Sequence, residues 1–395
     1  MNQRTRAYLQ GRFGDYYRRT ELSLPPAPGL REWGVIPFTE GPGTTMVRHK
    51  ELVELGDLST FLVDESPRHV YFSAGQYDDP GARSMAEKGW QGSDLVFDLD
   101  ADHLPAVDPE TDSYASMLET CKAALLRLLE FLRTDFGFED DALTVVFSGS
   151  RGYHVHVRTD AVRPLDREAR SEIAAYLLGE GISGVEALTS EETVAGLGRS
   201  TPAQKHTLTT DGGWGRRVHN RLCTLVESIQ ELDEAAAIER LHSFDGIGEK
   251  GGKMLYQAIL DRPEQFSAGN LDVAGQYSHT LANQLLESVI EESAVPIDEP
   301  VTTDINRLIR LPGSIHGGSG LAVCELSLDD VESFDPLIEA VPEPFSGAEI
   351  TINNREQRAV QLSGETHKIP AGNVTVRESI GIFLMARGHA EKAPE

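Results

Sequence analysis

The sequence predicts a mixed α/β (α+β) fold: a mixed β-sheet flanked by helices, carrying a largely helical insertion from about residue 165 to 295. Three observations lead there. Six short runs rich in β-branched and aromatic residues read as strands, a strongly periodic helix falls between the second and third of them, and the chain turns helical in character after Leu165.

The strand candidates are His69–Ala74, Leu95–Leu99, Leu143–Ser148, Tyr153–Val157, Leu308–Leu311 and Ala322–Leu326. Between the second and third, residues 114 to 136 place Leu118, Leu125, Leu128, Leu129 and Leu132 at helical spacing. The insertion is expected to hold helices over 167–179, 233–243, 251–261 and 281–292, and residues 374–386 read as a closing helix. The Pro/Gly clusters PPAPG at 25–29, GPG at 41–43 and TTDGGWG at 209–215 look like loops rather than linkers. With no internal repeat and an acidic excess spread evenly, residues 1–395 are expected to form a single domain containing the insertion. Within the insertion, residues 244–260 (FDGIGEKGGKMLYQAIL) have the glycine turn and following helix of a helical hairpin whose amides suit a DNA phosphate, although a plain helix with a glycine-rich start explains them as well.

Composition narrows the setting. No run of about 18 apolar residues occurs and the N-terminus is polar and basic, so neither a spanning helix nor a secretory signal is expected, and the expected location is cytoplasmic. Cys121, Cys223 and Cys324 lie far apart with no CxxC pair, which argues against a disulfide framework or an obvious zinc site. There are 63 acidic against 36 basic residues, a net charge of −27, and only 8 of the 36 are lysine. Such a surface repels nucleic acid at low salt. In molar salt the Debye length falls to about 3 Å and the repulsion is screened, and lysine scarcity suits that setting.

Three segments carry chemistry. Residues 94–102, DLVFDLDAD, alternate so that Asp98 and Asp100 share one strand face about 7 Å apart, a spacing at which two carboxylates can hold Mg²⁺ or Mn²⁺. Asp102 reads as a cap or loop residue. Residues 145–157, VVFSGSRGYHVHV, join two strands through a glycine-punctuated turn where Ser148, Arg151 and His154 suit phosphate oxygens; a plain hairpin with a surface arginine is the bland reading. Residues 297–321, IDEPVTTDINRLIRLPGSIHGGSGL, place Arg307 and Arg310 around an apolar strand that breaks at Pro312-Gly313 and presents Ser314 and His316 on a glycine-rich lip. Asp298 and Asp304 are both candidates for a third metal ligand, and Asp304 also suits a plain pairing with Arg307.

Taken in order, DLVFDLDAD, SGSRGYHVHV and RLIRLPGSIHG resemble the three motifs of the archaeal and eukaryotic DNA primase small subunit. YYR at 16–18, REWGVIPF at 31–38 and VYFSAGQYDDP at 70–80 are similar to that family's N-terminal segments, so the resemblance covers nearly the whole chain. It implies a primase-type catalytic body working as a nucleotidyltransferase. In it Asp98, Asp100 and Asp298 would bind the metals, Asp298 being favoured because the family's aspartate lies ten residues before the first leucine of the third strand. Ser148, Arg151, His154, Arg310 and His316 would hold the incoming nucleotide. It also implies template-directed primer synthesis on single-stranded DNA from NTPs or dNTPs, two Mg²⁺ or Mn²⁺ ions, and a heterodimer with a primase large subunit, which carries the family's iron–sulfur cluster; none is expected here. One departure is that the family's cluster of zinc ligands after the first motif is reduced here to His103 and Cys121, so no structural zinc is expected. The alternatives are a primase-polymerase of repair or a mobile element, which usually sits beside further domains, a non-catalytic nucleic-acid-binding relative, which would have lost carboxylates, and a metal-dependent phosphohydrolase, for which only HxH at 154–156 speaks.

Overall fold

The computed structural model of the chain describes residues 1–39, 45–194 and 203–394; the GPG turn at 41–43 lies outside them. The chain divides into two compact units, one made of residues 1–126, 138–174 and 296–395, the other of 127–137 and 175–295.

The first unit is built on two four-stranded sheets. One has the order Leu308–Arg310, His69–Ser73, Trp33–Ile36, Val47–Lys50; the other has Cys324–Leu326, Leu143–Phe147, Gly152–Val157, Leu95–Asp100. The α/β class holds, but the strands form two main sheets and pair antiparallel among the described residues, where one mixed sheet was expected. All six predicted strands are present, with ends moved by one or two residues.

Alternation explains the sheet that carries the acidic strand. Leu95, Phe97 and Leu99 are fully buried, as are Val155 and Val157 on the neighbouring strand. Each such side chain contributes roughly 1.5–3 kcal/mol by leaving water. The helix Tyr114–Thr134 supplies Leu118, Cys121 and Leu125 to the core, and the Cys121 thiol donates to the Leu99 carbonyl at 3.4 Å. The opposite face carries Asp98, Asp100, His154 and His156, because the register pairs Asp98 with His154 and Val96 with His156. His156 is completely buried and lies parallel to Phe72 of the other sheet at 6.0 Å, which is where the two sheets meet.

A buried charge network fixes the start of the acidic strand. Arg31 grips both oxygens of Asp94 at 3.1 Å, Arg158 Nε reaches the same carboxylate at 3.0 Å, and Arg170 donates to the Asp94 carbonyl at 2.9 Å. A buried carboxylate tolerates desolvation only when its lone pairs are filled in this way. Pinning Asp94 sets the register that delivers Asp98 four residues on.

The C-terminal stretch departs from expectation. Gly372–Arg377 pairs with Glu349–Asn354 as a strand, so the predicted helix at 374–386 begins only at Glu378. The alternating Val374-Thr375-Val376 gives the reason: a period of two fits a half-buried strand. The helix Glu378–Ala386 is buried at every position, and Glu378 pairs with Arg12 at 2.8 Å.

In the second unit Glu234–His242, Glu249–Asp261 and Gln276–Ser293 occupy the predicted helical regions, the first two joined by the 243–248 turn as a helical hairpin. A strand pair and a long helix were missed. Thr189–Val194 and Ala203–Leu208 form an antiparallel pair, and Gly213–Glu231 is a 19-residue helix beginning inside a cluster read as a loop. Its Val218, Leu222, Leu225, Val226 and Ile229 are buried at helical spacing, a signal that the glycines at its start obscured. No helix among the described residues is long and apolar enough to cross a membrane.

Candidate active site

Backbone contacts bring the three motif segments together. Asp98 and Asp100 project from alternate positions of the acidic strand, and the Asp298 N–H donates to the Asp98 carbonyl at 2.9 Å, docking the 298–303 segment against that strand. Of the two candidates for a third carboxylate, Asp298 is thus the one beside Asp98. Asp304 instead accepts from the Asn306 N–H at 2.9 Å and its carbonyl accepts from the Arg307 N–H, shaping the turn into the third strand.

The Asp98 carboxyl is pushed up to about 7, first by burial and then by the charges of Asp100 and Asp298, with Arg307 and Arg310 acting in the opposite sense. Three half-buried carboxylates crowded together repel one another, and oxygen-only donors of this kind suit a hard divalent cation. Opposite Asp98 stands His154, with Nε2 3.5 Å from Asp98 Oδ1. Burial, helped by Arg310 and Arg307, drives its imidazole down to about 3, so the contact is between a neutral ring and a carboxylate rather than an ion pair.

The second segment turns sharply. The Ser148 N–H bonds the Gly152 carbonyl at 2.9 Å, and Gly149 sits at φ +80°, where a side chain is strained. A Cβ at Gly149 would also stand 2.6 Å from the His316 Cβ, and Ser319 Oγ donates to the Gly149 carbonyl, so this turn and the third segment's lip are fitted together. At Gly152 a Cβ would meet the Leu99 carbonyl at 2.1 Å, which leaves only glycine beside the acidic strand. Arg151 forms an ion pair with Asp102, while Asp100, rather than Asp102, caps the short 101–103 turn by accepting from the Asp102 N–H at 3.2 Å.

Arg310 donates to His69 Nδ1 at 2.7 Å and to the Tyr71 hydroxyl at 2.8 Å, and its guanidinium lies 5.2 Å from the Tyr71 ring. His316 is buried, packs edge-on against His69 at 4.9 Å, and accepts the Gly318 N–H on Nδ1 at 3.1 Å, which leaves its proton on Nε2. Burial first and then Arg310, His69, Arg68 and Arg151 hold His316 well below the ordinary histidine range. Burial and the nearby Arg310 likewise lower the Arg68 guanidinium. Cations crowded in this manner make a seat for an anion.

The reading of the sequence missed Arg68, His69 and Tyr71. Their signal is the register Arg310↔Tyr71 between strands some 240 residues apart in the chain, which spacing within one segment does not reveal. His103 is exposed and Cys121 buried within the helix.

Comparison with known proteins agrees with this geometry. Residues 97–327, which contain Asp98, Asp100 and the whole of the second and third segments, match the family described as DNA primase small subunit. The chain is 56% identical over 398 residues to the DNA primase small subunit PriS of Natronomonas pharaonis and 54% identical over 396 residues to that of Haloarcula marismortui. It is 36% identical over 399 residues to that of Methanococcoides burtonii, and in all three cases the whole of both chains is covered. On its motifs, the meeting of their residues and these full-length likenesses, the chain belongs to the DNA primase small subunit family.

Proposed function

We propose that Asp98, Asp100 and Asp298 are the metal-binding carboxylates of a catalytic primase subunit, and that Ser148, Arg151, His154, Arg310 and His316 receive the triphosphate of the incoming nucleotide. The chain is a nucleotidyltransferase that makes primers for DNA replication. The observation that carries the site assignment is the meeting of three carboxylates with a basic lip, drawn from three segments separated by up to 200 residues.

In the reaction the 3′-hydroxyl of the growing primer attacks the α-phosphorus of the bound nucleotide, the α–β anhydride bond breaks and pyrophosphate leaves. Two divalent cations, Mg²⁺ or Mn²⁺, would supply charge stabilisation for both oxygens. The three aspartates provide oxygen donors on a rigid strand and a docked turn. Arg310, aimed by His69 and Tyr71, offers its fork to phosphate oxygens, and neutral His316 offers its Nε2 proton. Arg151 is paired with Asp102 and exchanges that partner for phosphate when nucleotide binds. No side chain acts as nucleophile, so the protein contributes positioning and electrostatics. A primase large subunit would be the partner, with single-stranded DNA as template and NTPs or dNTPs as substrates.

The test is oligonucleotide synthesis on single-stranded DNA in molar KCl with Mg²⁺ or Mn²⁺. Metal-dependent products from the parent, absent with Asp98→Ala/Asp100→Ala, are expected. Equal synthesis by the double variant, or none by the parent even with the large subunit added, would sink the assignment.

A further inference from the structure

We infer that the helical unit holds a second metal site, apart from the aspartate cluster, in which His206, Asp272 and His279 bind an ion of the Zn²⁺ class. The three residues come from the strand Ala203–Leu208, the turn that follows residue 270 and the helix Gln276–Ser293, and their ligand atoms all lie within 4.8 Å of one another.

The distances suit such an ion. His206 Nδ1 and His279 Nε2 are each 3.3 Å from Asp272 Oδ1. Tetrahedral zinc with nitrogen and oxygen ligands at about 2.0–2.1 Å separates neighbouring ligand atoms by about 3.3 Å. Two of the three edges therefore already have the required length. The rings stand edge to face, with centroids 5.5 Å apart at 77°.

The carboxylate is held in place by the backbone. Asp272 Oδ2 accepts the His206 N–H at 2.7 Å, and the Asp272 N–H is held by Asn270 Oδ1 at 2.9 Å. The Leu271 N–H to His206 carbonyl bond at 3.0 Å and the Leu208 N–H to Gly269 carbonyl bond at 2.9 Å lock the turn to the strand.

Both rear nitrogens also face carboxylates. His279 Nδ1 faces Glu186 Oε1 at 3.4 Å, and His206 Nε2 faces Glu191 Oε1 at 3.8 Å. Carboxylates behind imidazoles place the proton on the rear nitrogen and leave the front lone pair for a metal. A neutral ring that donated to Asp272 instead would turn a lone pair on the carboxylate behind it. Only a metal-bound or a doubly protonated ring satisfies both sides.

Imidazole nitrogen selects Zn²⁺, Co²⁺ or Ni²⁺ over Mg²⁺, which demands oxygen, so this site and the aspartate cluster differ in the ion they take. The half-exposed setting leaves a fourth position to water. Bound there, the ion would staple the strand to the helix. The sequence led to the expectation of no structural zinc in the chain, on the spacing of its cysteines and on residues 103–122, and the site inferred here departs from that expectation.

The test uses the full-length chain, stripped with a chelator and reloaded with ZnCl₂ in molar KCl under excess Mg²⁺, then desalted and assayed for zinc. About one zinc per chain is expected in the parent and in Asp98→Asn, and none in His206→Gln or His279→Gln with unchanged far-UV circular dichroism. Cobalt gives a second readout on the parent alone: a visible ligand-field band of tetrahedral Co²⁺ that Zn²⁺ removes. If the parent retains no zinc and shows no such band, or if the histidine variants keep as much zinc as the parent, the site does not exist and the rings are ion-paired to their carboxylates.

Discussion

A carboxyl group placed as Asp98 is, half-buried and facing Asp100 and Asp298, resists ionisation until about pH 7. Its folded pKa lies above the unfolded value of about 3.9, so its stabilising contribution is full below that value and is lost as pH rises through about 7. Asp98→Asn keeps the shape without the charge. In metal-free molar KCl the variant is expected to melt about 1–3 °C above the parent at pH 8, with the gain reduced to about a third at pH 5, while primer synthesis is abolished. A variant that melts below the parent at both pH values would show that the carboxylate is not under strain. Arg310 is read differently, because its fork is aimed by His69 and Tyr71. Arg310→Lys should raise the nucleotide KM about tenfold or more, and His69→Ala should raise KM with a smaller effect on kcat, since it only loosens the aim. Steady-state kinetics separate the two; a fall in kcat at constant KM would contradict the assignment.

Among the elements, the acidic strand, the strand–turn–strand at 143–157 and the third segment were legible because each carries its own pattern: period-two alternation, a glycine-rich turn, a proline break. What joins them was not. The docking of the Asp298 N–H on the Asp98 carbonyl and the seating of the Ser319 hydroxyl on the Gly149 carbonyl are long-range contacts that leave no local mark. The choice of Asp298 came from the spacing of a family motif, and the residues alone left Asp304 open. The C-terminal strands were missed for another reason: short alternating runs such as Val374–Val376 stand beside an apolar helix and merge with it on reading. Gly149 tests the fit between segments. Gly149→Ala adds a methyl at φ +80° and 2.6 Å from the His316 Cβ, so it is expected to cut synthesis about 100-fold while leaving Mn²⁺ binding at the aspartates within about threefold. Wild-type activity in that variant would show that the turn and the lip move independently.

Across the whole molecule the net charge of −27 sets the terms on which a polyanionic template is approached. Long-range repulsion has to be screened before the local cluster of Arg68, Arg151, Arg307 and Arg310 can act, and at about 1 M salt only charges within about 3 Å feel one another fully. Template affinity is therefore expected to hold or rise as KCl goes from about 0.2 M to about 2 M, where a basic DNA-binding protein loses orders of magnitude. Fluorescence anisotropy across that range checks it; a steep fall would mean that phosphate contacts, not screening, dominate. Catalysis depends on which carboxylates act together at the site. The most direct measurement is primer synthesis by full-length Asp98→Asn, Asp100→Asn, Asp298→Asn and Asp304→Asn, side by side in molar KCl with saturating Mn²⁺. The first three are predicted to lose about 1,000-fold or more and Asp304→Asn to stay within about threefold of the parent. An inactive Asp304→Asn beside an active Asp298→Asn would contradict the account.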